Sequence, residues 1–138
     1  MNRRFFANLG LLTLLAAGSA QAQPAAVADI PFTFHVGKSV LPAGQYTVGI
    51  LSLGSAVLTV RCLACQGAAM VQTFPAHITK YQAKGTLAFR RYGSAYFLAT
   101  VSAPWTDREY GLFQSKRERK IATSGPTFQT MAVALATR

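Results

Sequence analysis

Apolar side chains along most of this chain return every second residue, not every third or fourth. Ile30, Phe32, Phe34 and Val36 share one face of a run whose other face carries Thr33 and His35, the period of a half-buried strand. Pro31 suits a strand end or sheet edge, where no ladder donor is needed. Gly37-Lys38 turns the chain. Leu41-Pro42-Ala43-Gly44 reads as a tight turn, because proline presets one dihedral and glycine accepts positive φ. Strands are then expected over 46–51, over 56–62 with Leu58, Val60 and Cys62 on one side, and over 68–74 on the return. The cleanest hairpin joins 86–92 to 95–101 through Gly93-Ser94, a two-residue glycine turn between β-branched and aromatic runs. Its Phe89, Tyr92, Tyr96 and Phe97 are expected to pack.

The pattern changes twice. Residues 103–112 read as a loop or irregular edge, with Trp105 as a packing anchor. Ser115-Lys116-Arg117-Glu118 then fits a capping box, in which the serine hydroxyl takes a free helix N–H and the glutamate reaches back. A short helix is expected over 116–122, stopped by Ser124-Gly125-Pro126. Residues 127–135 form a last strand candidate, although so many alanines fit a helix as well. Many short strands with frequent turns, and no long helix between them, exclude a parallel α/β sheet. The expected fold is all-β and mostly antiparallel: a small sandwich or partly open barrel with one short C-terminal helix.

The first 22 residues stand outside that pattern. Arg3 and Arg4 precede an apolar stretch over 9–17, and Ala20-Gln21-Ala22 is an A-x-A cleavage site, the three parts of a secretory signal. The stretch is about half the roughly 20 apolar residues a spanning helix needs. Its expected fate is therefore a cleaved signal helix that plays no part in the fold, leaving no transmembrane anchor. No cysteine follows the site, which argues against a lipoprotein. Arg3-Arg4-Phe5-Phe6 partly matches a twin-arginine signal, but Asn2, Ala7 and Asn8 depart from it, so general secretion is favoured. The expected organisation is a signal peptide over 1–22, a flexible Pro/Ala-rich lead-in over 23–28 and one β domain over 29–138, exported to the periplasm or beyond.

Charge narrows the partners. The 138 residues carry a formal net charge of +10, and losing Arg3 and Arg4 with the leader lowers it to +8. The four acids are Asp29, Asp107, Glu109 and Glu118, so none lies between Ile30 and Thr106. One reading is a solvated surface. The other is attraction to an anionic envelope component: a lipid headgroup, an acidic polysaccharide or an acidic protein. Export argues against nucleic acid. Lys116, Arg117, Arg119 and Lys120 are the densest cations, and Arg90 is a further candidate for an anion site. Arg90 and Arg91 point to opposite faces of their strand, so only one can join a given patch.

Two stretches, Ile30-Pro31-Phe32-Thr33-Phe34-His35-Val36-Gly37 with Leu41-Pro42-Ala43-Gly44-Gln45-Tyr46-Thr47-Val48, and Phe89-Arg90-Arg91-Tyr92-Gly93-Ser94-Ala95-Tyr96-Phe97-Leu98, resemble a group of small exported bacterial β-rich proteins frequent in acidobacterial genomes. The resemblance spans most of the domain. It implies an exported β domain and brings no activity, ligand or catalytic residue. The cysteine pair is not a feature of that group.

Candidate chemistry is sparse. Cys62-Leu63-Ala64-Cys65 is the one reactive-looking motif. In an oxidising compartment two spare thiols pair, and a bridge closing so short a loop contributes at most roughly 2 kcal/mol. Free or packed thiols and a redox-active pair are the alternatives, although redox-active pairs use a helix N-terminus after a strand and a β-rich run follows here. A zinc site would need His35 or His77, and neither has finger spacing. There is no Gly-x-Ser-x-Gly elbow, no His-Glu-x-x-His helix and no phosphate-cradling glycine loop. The expectation is a non-enzymatic binding or envelope-structural module without metal or cofactor. A thiol-disulfide redox protein and a small outer-membrane barrel are the alternatives.

Overall fold

The computed structural model describes residues 25–51, 55–76, 85–104, 108–125 and 127–137. The expected leader, His77, Trp105 and Asp107 lie outside them. Ten strands and one helix follow in chain order: β1 (Ala25–Ile30), β2 (Phe34–Val36), β3 (Ser39–Leu41), β4 (Gly44–Ile50), β5 (Val57–Cys62), β6 (Ala68–Ala76), β7 (Gly85–Tyr92), β8 (Ala95–Ser102), β9 (Glu109–Leu112), α1 (Lys116–Thr123) and β10 (Gln129–Thr137). The fold is mostly antiparallel β with one short helix, as the two-residue period implies. No described helix is long and apolar enough to cross a membrane.

The sheet runs β8-β7-β10-β1-β4-β5-β6-β9, and a β9–β8 pairing closes it into an eight-stranded barrel. A barrel of that size has an interior just wide enough for side chains to fill. Here Phe34, Tyr46 and Phe89 do so edge to face, with ring centroids 5.1 and 5.6 Å apart. Val48, Leu58, Val60, Leu87, Val101 and Leu135 complete the packing. Phe32 covers one end, stacked on Tyr96 at 3.9 Å. The extra strands β2 and β3 form a hairpin through Gly37-Lys38, with Gly37 at φ 57°. β2 lies parallel to β8, His35 opposite Phe97.

Three expectations need correction. The lead-in over 23–28 is, from Ala25 onward, strand β1, paired with β4 on one side and β10 on the other. Alternate alanines carry the pattern: Ala26 and Ala28 are buried like Ile30, and only their small size disguises the period. The single strand expected over 30–36 is broken at Pro31 into β1 and β2. Within 103–112, expected as a loop or irregular edge, Glu109–Leu112 forms β9, a strand paired on both sides that closes the barrel.

That closure is partial. β9 has four residues, and it meets β8 only over Thr100–Ser102 and β6 only over Thr73–Ala76. Beyond it, β8 turns to β2, whereas β6 has no described strand partner over Ala68–Gln72 on the side away from β5. A seam runs there between the β2–β3 hairpin and β6, and side chains rather than ladder hydrogen bonds fill it.

Candidate functional site

The seam opens outward as a groove of about 640 Å³, within the range typical of ligand sites. One wall is the β2–β3 hairpin with Lys38 and Val40. Met70 and Gln72 of β6 form another, and Phe113, Lys116 and Arg117 close it from the segment that starts α1. Val40, Met70 and Phe113 are 52, 63 and 63% exposed, although each is large and apolar. Among the described residues no carboxylate lines the groove, while three cations do.

Helix α1 brings two of those cations into place. It has almost no apolar face, so burial of aliphatic side chains does not dock it. Glu118, its one buried residue at 2% exposure, does so instead. One carboxylate oxygen takes the Nε–H of Arg90; the other takes an Nη2–H at 3.2 Å. Tyr92 donates its hydroxyl to the same carboxylate at 3.2 Å. Arg90 and Tyr92 alternate outward on β7, beside Phe97 on β8. Phe97 meets Tyr92 edge to face and stacks on His35 at 4.5 Å. The result is a small second core on the outside of the barrel wall, polar at its centre.

The predicted capping box is therefore half formed. Ser115 Oγ accepts the Glu118 backbone N–H at 3.2 Å, but the Glu118 side chain does not reach back. A two-pronged pairing with a guanidinium is the stronger interaction.

At this site His35 and Tyr92 titrate away from their ordinary values. Burial lowers the His35 pKa below 6.5, and the Arg117 charge adds to this against Glu118. His35 is thus neutral at neutral pH. Burial raises the Tyr92 phenol, and the charge and hydrogen bond of Glu118 raise it further.

The sequence candidates separate accordingly. Lys116 and Arg117 line the groove, whereas Arg119 and Lys120 sit exposed elsewhere on α1. Arg90, expected as an anion contact, already holds Glu118 and offers no free charge. Arg91 points to the opposite face, donating to Gly93 O at 2.7 Å and lying over Tyr96 at 5.4 Å. Lys38, Val40, Met70 and Phe113 were not among the candidates. Lys38 read only as a turn residue, and the outward positions Met70 and Gln72 carried no chemistry of their own.

Cys62 and Cys65 meet at the β5–β6 turn with their sulfurs 2.10 Å apart, an arrangement consistent with an oxidising compartment. Cys62 is buried at the strand end, Cys65 is exposed, and the Cys65 N–H points at Cys62 Sγ at 3.1 Å. A strand follows, not a helix. Among the described residues no three His, Cys, Asp or Glu side chains cluster as metal ligands.

These features define a side-chain-filled β-barrel with a basic lateral groove. No family model matches the chain, and no curated protein or solved structure is similar to it.

Proposed function

We propose that the protein is an exported, non-enzymatic binding module that holds an anionic envelope component in the groove between the β2–β3 hairpin and β6. One observation carries this reading: Lys38, Lys116 and Arg117 converge on an apolar hollow that no carboxylate among the described residues lines. Low-dielectric walls focus such a field on an incoming anion. The leader motif over 1–22 and the paired cysteines support export. The barrel interior is apolar, the inverse of an outer-membrane barrel, whose lumen is polar. That sidedness weighs against a membrane-spanning role.

The test compares binding to phosphatidylglycerol vesicles, phosphatidylcholine vesicles, polygalacturonate and an acidic peptide. At least one anionic probe should be retained, and retention should fall with salt. Changing Lys38, Lys116 and Arg117 together to Glu should abolish it; changing Arg119 and Lys120 should reduce it far less. Equal retention of neutral and anionic probes, or full retention by the triple variant, would reject the reading.

A further inference from the structure

Resting on that reading, we infer that the groove's occupant is an extended, acidic polypeptide segment of another protein, laid along the open edge of β6. Ladder phase shows which backbone groups are open. Thr73 N–H donates to Ala56 O, and Cys62 N–H donates to Gly67 O. Residues 67, 69, 71 and 73 therefore turn their peptide groups toward β5. Strand groups alternate in direction, so those of Ala68, Met70 and Gln72 turn away from it, toward the side where β9 pairs only from Thr73 onward. Met70 and Gln72 line the groove. Among the described strands β3, which borders the same groove, pairs with β2 alone.

This distinguishes the candidate ligands. An acyl chain in the hollow would cover peptide N–H and C=O groups and leave them without partners, which is unfavourable. A polypeptide supplies both donors and acceptors at strand spacing, which is how an exposed sheet edge recruits a partner strand. Lys38, Lys116 and Arg117 select acidic side chains. Val40, Met70 and Phe113 offer apolar contact between them.

The segment does not come from this chain. Residues 1–24 carry Arg3 and Arg4 and no acid, 52–54 and 77–84 carry no acid, and Asp107 is the single acid outside the described residues. A second copy would bring a like charge of +10 against the same cations.

The experiment uses a fluorescent peptide alternating glutamate with valine, alongside the same peptide N-methylated at alternate amides. The two share charge and side chains and differ in backbone donors. The parent should bind, and the methylated form should bind about tenfold more weakly or worse. Met70→Pro should weaken the parent to a similar extent, because it removes an N–H that β5 does not use; Met70→Ala should weaken it less. Equal binding of both peptides overturns strand addition. Retention of phosphatidylglycerol vesicles without the parent peptide also overturns it, while leaving the basic groove as a binding site. Failure of every anionic probe removes both. A dimer that Met70→Pro abolishes would assign the edge to a second copy and overturn the proposal.

Discussion

The barrel wall is built in two ways. From β7 through β10, β1, β4 and β5, neighbours are joined by antiparallel ladders, the shortest of them the three pairs between β1 and β10. Between β8 and β6 the wall is completed by a four-residue strand below and by the β2–β3 hairpin above. Helix α1 is tied outside through one carboxylate. The laddered part is held by backbone groups that any sequence supplies, so its side chains need only fill the interior. The seam is held by particular side chains, and substitution there acts locally. This contrast also bears on where a ligand can enter: at the seam, peptide groups of β6 face a groove instead of a strand.

Four measurements can break or sharpen it. The largest effect should come from Phe89→Ala, which empties a fully buried ring site between Phe32 and Phe34. It should cost about 3–5 kcal/mol in denaturant unfolding, with wall and seam lost together. If the seam unfolded alone, the interior would not be the common core described. Next, Arg90→Met leaves the buried Glu118 carboxylate without its guanidinium, and about 3 kcal/mol should be lost. Amide exchange should quicken in α1 well before β1 or β10. Uniform quickening throughout the sheet would show that the helix is not separately tethered.

Ser115→Ala removes the helix cap and should cost about 1 kcal/mol, again visible first in α1 amides. The smallest effect is pH-dependent. His35 has a folded pKa below the 6.5 of the unfolded chain, so as pH falls past 6.5 the unfolded chain takes up a proton first. This part of the stability is therefore present above 6.5, declines as pH falls toward the folded value, and then levels off. His35→Gln should flatten that slope in urea melts between neutral pH and about pH 5; an unchanged slope would place the titration elsewhere.

How much of this the sequence displays depends on range. Turn chemistry and strand period are local, and they place the Gly93-Ser94 hairpin, the β5–β6 return and a helix from Lys116 close to where they lie. β1 escaped because alanines at 26 and 28 give so weak a signal, and because its value lies in pairing with β10 more than a hundred residues away. Glu118 misled for a related reason. Three residues from Ser115 it fits a local cap, yet its partner is 28 residues back on β7. The groove assembles Lys38, Met70 and Phe113 from three separate segments, and no spacing rule connects them.

Ala26 pairs with Thr137. A chain delivered amino end first thus presents its opening strand long before the closing one arrives. β4 can cover one side of β1 early, but the other stays bare until β10 is made. Bringing ends so distant together is slow, and a bare edge meanwhile invites pairing with neighbouring chains. The order of synthesis therefore leaves the growing chain open to aggregation until β10 has been made, and whatever shields β1 must hold on until then.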